Sequence, residues 1–268
     1  MAIRQPAVAG LFYPSHPEEL ERDVRKFLGA AVEPGPAVGA VVPHAGYVYS
    51  GPVAGAVYAR VTLPRRAIVL CPNHTGLGAP AALDPSDAWR TPLGDVPLAR
   101  GLADRLLALA PTLEEDTEAH RSEHSLEVQL PFLQVRRPDV EIVPVSLGKA
   151  SLPLCREVGE ALATLVREEE DPPVVIASSD MNHYESREVG RAKDDLTLAR
   201  VEAIDAEGLF TTVIQRSITM CGVLPTTALL FAARALGASR AEVAARRDSG
   251  DETGDDSSVV GYAGVVIS

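Results

Sequence analysis

The sequence predicts a single-domain α/β fold: a central, mostly parallel sheet wrapped by helices. Three observations carry that expectation. Short runs rich in valine and isoleucine, at 38–42, 67–70, 140–145, 174–177 and 259–267, are apolar throughout rather than alternating. Strands covered on both faces read this way. Helix-length segments separate most of these runs, which is the pattern of a parallel, helix-covered sheet. Finally, 268 residues with 46% hydrophobic side chains can close one core without disulfides.

Taken in order, 17–28 spaces Leu20, Val24 and Leu28 four apart, a helix with one buried stripe. Residues 38–42 form the first buried strand. Residues 51–60 read as a helix capped by Ser50, with Pro52 tolerated in its first turn. A strand at 67–70 and a helix at 98–109 follow. Residues 122–135 are expected to be helical, with Ser122 in position to cap, although Ser125 stands where a capping box carries glutamate. After the strand at 140–145 come a helix at 152–166, a loop at 168–173 and the strand at 174–177. Helices at 187–204 and 225–236 lead to a flexible acidic loop at 250–258. In the last strand, 259–267, Gly261 and Gly264 suit close backbone approach. No repeat or linker interrupts the chain, so 1–268 is read as one domain.

The net charge is −12, and the acidic runs 168–171 and 248–256 read as solvated surface. No basic patch offers a nucleic-acid footprint. The three cysteines, Cys71, Cys155 and Cys221, are odd in number and widely spaced, which suits a reducing cytoplasm. The opening residues lack a secretory pattern, and no apolar run has the length of a membrane span. A cytoplasmic protein without a membrane partner is therefore expected.

Chemistry gathers after the strands. His44, His74 and His183 each follow a buried run within a few residues, and Asp180 lies three before His183. In a parallel sheet the carboxyl ends of the strands open on one side, where ligands bind. One histidine there is ordinarily solvated or hydrogen-bonded; three point to a converging cluster able to hold a metal. His16 and His120 are read as solvated. In EAHRSEHSLEVQ (118–129), Glu123, His124 and Glu127 fall near a helix start, and His124 and Glu127, three apart, share a helix face. Lining a polar cleft and favouring the helix dipole are both open readings for that pair. Cys221 alone reads as a small buried hydrophobe, as do Cys71 and Cys155.

RQPAVAGLFYPS (4–15), PHAGYVYSG (43–51), PNH (72–74), HSLEVQLPFLQ (124–134), SSDMNHY (178–184), MCG (220–222) and VGYAGVV (260–266) occur in this order over nearly the whole chain. Together they resemble the Memo family. The resemblance implies a fold similar to that of the class III extradiol dioxygenases. It also implies a mononuclear site of two histidines and a cysteine, here His44, His74 and Cys221, with Asp180 and His183 beside it. Related dioxygenases carry a carboxylate where Cys221 stands. Iron(II) is the expected metal, with copper or zinc as alternatives. Two neutral imidazoles and a thiolate make a soft set that leaves a position open. Asp180 is expected to orient a ligand imidazole, and His183 to act as general acid or base. Tyr47, His124 and Glu127 are expected to line the cleft. Three functions fit: a metal-dependent oxidoreductase acting on oxygen and a small phenolic substrate; a non-catalytic metal-binding, peptide-binding or signalling protein on the same fold; and a zinc hydrolase. In microbes the resemblance implies an AMMECR1-like protein and a radical SAM protein as pathway partners, and in animals it implies signalling and copper or iron handling.

Overall fold

The apolar runs pair side by side in one sheet. The computed structural model describes residues 2–30, 32–149 and 151–268. Its first half contains β1 (Ile3–Arg4), α1 (Pro17–Leu28), β2 (Gly39–Val42), α2 (Tyr47–Arg60), β3 (Arg66–Pro72), β4 (Ala81–Leu83), β5 (Ala88–Thr91), β6 (Gly94–Pro97), α3 (Arg100–Leu109), β7 (Glu114–Glu115), α4 (Glu118–Arg121) and α5 (Leu130–Arg136). Its second half contains β8 (Glu141–Leu147), α6 (Leu152–Glu168), β9 (Val174–Ser178), β10 (His183–Glu185), α7 (Arg187–Glu202), α8 (Ala206–Gln215), α9 (Val223–Ala235), β11 (Ala241–Asp248), α10 (Gly250–Thr253) and β12 (Val259–Ile267).

The centre of the large sheet is parallel, in the order β2-β9-β3-β8. Successive residues point to opposite faces. Val41, Ile68, Leu70 and Val175 therefore pack with α3, α6, α8 and α9, while Val42, Val69 and Ile176 pack with α1, α2 and α5. Both faces are covered, which is why these strands are apolar throughout. The flanks are mostly antiparallel, β12 against β2, β10 and β11, and β4 against β8, with β7 parallel to β4 at the outer edge. Residues Val265–Ile267 of β12 pair with both β2 and β11, so those two strands flank it. β1, β5 and β6 form a separate small sheet. Among the described residues no helix is long and apolar enough to cross a membrane.

Four local expectations are corrected. α2 begins at Tyr47, so Ser50 lies inside it and donates to the Ala45 carbonyl (2.7 Å), and Pro52 sits beyond the first turn. The expected helix at 122–135 is broken into α4, a 3-10 turn at Glu127–Gln129, and α5, and Ser122 ends α4 instead of capping a helix. The Glu123 carboxylate accepts from the Ser125 N–H (2.9 Å) and hydroxyl (2.6 Å), a local bond that competes with helix. The acidic stretch after residue 247 is exposed over 251–258 as expected, but its start is buried and partly helical. Asp248 is buried, Arg187 is 3.0 Å from both Asp251 and Asp256, and Gly250–Thr253 is helical. Finally, β11 and α8 occupy segments for which the sequence pattern predicts no separate element.

Candidate metal centre

β2, β9 and β3 are adjacent and parallel, and each ends two residues before a polar side chain: His44, Asp180 and His74. The expectation that these three stand at the carboxyl ends of neighbouring strands holds. Cys221 arrives from the turn before α9. That turn lies hard against β9, because a Cβ on Gly222 would stand 2.4 Å from the Ser178 carbonyl oxygen and 2.3 Å from Ser179 Cβ. The Gly222 N–H donates instead to Ser179 Oγ (3.1 Å). The donor atoms of His44, His74 and Cys221 lie within 4.8 Å of one another, and Cys221 Sγ is 3.1 Å from His44 Nε2.

Hydrogen bonds outside this cluster fix which ring nitrogens face it. Ser178 Oγ donates its one proton to the Ser125 carbonyl (2.6 Å) and accepts from Gln129 Nε2 (2.9 Å). At His44 Nδ1, 2.9 Å away, it can only accept. Nδ1 therefore carries the proton, and Nε2 turns a lone pair toward Cys221. At His74 the partner of Nδ1 is the Glu123 carboxylate (2.9 Å), which also accepts the His74 backbone N–H (2.6 Å). His74 Nε2 is left free by the same logic.

Burial, then the neighbouring His124 and His74, hold the His44 pKa well below the usual histidine range, so its ring stays neutral. At His74 burial acts downward, but the bond and charge of Glu123 outweigh it and the net shift is upward. Burial would raise Glu123 as well; bonding to His74 and Ser125 wins and brings it down to about 2. Burial, with the charge of Asp180, pushes the Cys221 thiol well above its ordinary pKa. Asp180 itself is pushed up to about 7 by burial, against the pull of the His44 and Ala45 N–H groups. Its carboxylate accepts from the His44 backbone N–H (2.7 Å), and its own N–H donates to Cys221 Sγ (3.2 Å). Asp180 thus orients the His44 backbone, whereas the ring is held by Ser178.

A family model described as Memo-like protein matches residues 4–266. The chain belongs to the Memo family. It is 43% identical over 278 residues to a MEMO1 family protein of Methanopyrus kandleri, with 98% of each chain covered. It is 42% identical over 269 residues to a MEMO1 family protein of Methanosarcina acetivorans and 40% identical over 271 residues to one of Aquifex aeolicus, each pair covered in full. A crystal structure of an uncharacterized protein from Escherichia coli K12 matches at a TM-score of 0.55 and 17% identity, over 78% of this chain and 88% of that one. That likeness speaks for the fold alone.

In this Memo-family chain the remaining candidates fall in different places. The His124 ring stacks on His74 (4.8 Å between centroids) and meets His44 edge-on (5.5 Å). His74, Glu123 and His124 form a second convergent donor group. His183 opens β10, donates its backbone N–H to Thr219 Oγ1 (2.7 Å), and keeps a buried Nδ1 without a partner. Burial lowers its pKa against the pull of the Thr219 and Met181 backbone, and His74 adds a smaller push downward. Tyr47 is buried, donates to the Val128 carbonyl (2.7 Å), and lines a cavity of about 820 Å³ with Phe12, Phe27 and Tyr49; the three metal-donor candidates are not part of its wall. Glu127 is corrected as a cleft residue: it is fully enclosed, and both of its oxygens are used by the N-terminal segment. His120 is corrected too, since it is buried and its Nε2 bonds the Ala82 carbonyl (3.0 Å). Glu123 and Ser178, which hold the two imidazoles, do not stand out as functional in the sequence. Their only signals there are a carboxylate directly before His124 and a serine at the first polar position after an apolar strand.

Proposed function

We propose that this chain holds one redox-active metal ion through His44, His74 and Cys221, iron(II) before copper, and acts with it on oxygen and a small substrate. The observation that carries the reading is convergence: two imidazoles, each with one nitrogen committed elsewhere, and a thiol bring their donor atoms within 4.8 Å of one another. Two neutral imidazoles and one thiolate suit a late transition metal and leave a position open. A buried thiol with a raised pKa fits the same reading, because it ionises only beside a cation.

Once bound, such an ion supplies Lewis acidity and one-electron chemistry at the open position. The chain does the rest. Ser178 and Glu123 keep both imidazoles in the metal-binding tautomer, as carboxylates and carbonyls do behind many metal-bound histidines. Asp180 fixes the turn that carries His44. Burial holds the His183 pKa down, so its ring is neutral near pH 7 and able to take a proton from a substrate hydroxyl.

The test is metal analysis of protein purified without oxygen, alongside His44→Ala, His74→Ala and Cys221→Ala. Each variant should stay folded by circular dichroism and lose most of its metal. Full metal retention in Cys221→Ala would remove the sulfur from the site. His183→Gln should keep its metal while oxygen consumption with catechols falls by about a hundredfold to ten-thousandfold. If the parent, loaded with iron(II) or copper, consumes no oxygen with any phenol, the site is a binding site without turnover.

A further inference from the structure

The N-terminal segment and the segment that carries Glu123 are joined by charges that face no water. Arg4 Nη1 donates to Glu127 Oε2, and the two side chains are 5% and 0% exposed. A buried ion pair is a poor source of stability, because desolvation offsets most of the Coulombic gain and apolar side chains of similar volume often do as well. What it adds is direction.

Followed outward, the bonds lead to the metal centre. The remaining Arg4 N–H groups grip the carbonyl of His120 (3.2 and 3.1 Å) and that of Glu123 (2.7 Å). The Trp89 ring lies 4.2 Å from the guanidinium. Glu127 collects the N–H groups of Ala7 (2.7 Å) and Val8 (3.0 Å) and the Tyr13 hydroxyl (2.6 Å). Phe12, carried within that stretch, packs on His124 at 4.7 Å. Residues 122–126 belong to no helix or strand, so no ladder of backbone bonds sets their path. Beside the Ser178 bond to the Ser125 carbonyl, Arg4 anchors the segment directly at Glu123, whose carboxylate holds both the ring and the backbone of His74.

We propose that Arg4 and Glu127 are positioning residues of the metal centre: their latch sets the Glu123 backbone, and through it the direction in which His74 presents Nε2. The proposal rests on the reading of His74 as a metal ligand. Neither residue touches the donor cluster; both act through Glu123.

Cobalt(II) is the probe, with affinity, ligand-field spectrum and urea stability measured on the parent, Arg4→Met, Arg4→Lys and the double variant Arg4→Met/Glu127→Leu. Arg4→Met strands a buried carboxylate and should lose both stability and affinity. The double variant buries no charge and should regain stability, yet bind cobalt about 10- to 100-fold more weakly than the parent, with shifted bands. Arg4→Lys keeps the charge without the fork and should also bind several-fold more weakly, at about the order expected for one lost anchor. If either of these folded variants binds cobalt with the parent's affinity and spectrum, the latch is structural only and the proposal fails. A His74→Ala protein that binds cobalt as the parent does would instead overturn the ligand reading beneath it.

Discussion

A neutral imidazole offers one lone pair, and at His44 a serine decides where it points. Ser178 spends its only proton on the Ser125 carbonyl and so obliges His44 to donate from Nδ1. Ser178→Ala should leave the fold intact and weaken metal binding by about 10- to 100-fold, measured by competition with a chelator. Unchanged affinity would mean that the ring is held by packing alone. The same residue scale yields a proton count. Cys221 is a thiol well above its ordinary pKa, whereas His44 is already neutral. Metal binding near pH 7 must therefore displace about one proton from sulfur, and affinity should rise about tenfold per pH unit below the thiol pKa, with any proton on His74 adding to the slope. Calorimetry in two buffers of different ionisation enthalpy reads that proton directly. Binding that releases none would argue against a thiolate ligand.

At the scale of elements, the strand ends make half of the site legible in the sequence. His44, His74 and Asp180 can be found there because a fully apolar run stops just before each, and parallel strands must stop on the same side. Cys221 is not legible that way. It precedes a helix rather than following a strand, and only its resemblance to a family motif singles it out. Glu123 is hidden because 122–135 reads as an amphipathic helix, in which an acidic residue near the start has a bland explanation; the fold breaks that helix with the carboxylate's own bonds to Ser125. β11 escapes pattern reading because AEVAARRD is an edge strand with little to bury. The approach of the Cys221 turn to β9 depends on Gly222, where an added methyl has no room beside Ser178 and Ser179. Gly222→Ala should push the turn outward and cost metal affinity out of proportion to stability. Comparing cobalt titration with urea unfolding checks this, and parallel losses in the two would contradict it.

For the whole molecule, composition announces a two-faced sheet, but the antiparallel flank is not legible, because β12 is as apolar as the parallel strands it joins. That flank is where pH should reach the stability of the entire fold. Asp194 on α7 is buried against β12, so closely that a Cβ on Gly261 would lie 2.2 Å from its Oδ2. It accepts the Asn182 N–H (2.9 Å), and Arg246 approaches to 3.5 Å. Burial pushes its carboxyl up to about 6, against the pull of Asn182 and Arg246 and with a small push from Asp195. Between its unfolded pKa and 6 the native chain holds a proton that the unfolded chain has lost. Its stabilising contribution is therefore complete below the unfolded value and disappears as pH rises through 6. Asp194→Asn removes this dependence while keeping an oxygen for Asn182. Relative to the parent, the variant should gain roughly 1–3 kcal/mol of stability between pH 4 and pH 8, in proportion to the shift. Urea unfolding of chelator-treated parent and variant at pH 4, 6 and 8 measures the difference directly, because every other titrating group cancels between the two proteins. A difference that stays constant with pH would show that Asp194 ionises in the native fold as freely as in water, through solvent or through Arg246, and that burial at this flank carries no electrostatic penalty.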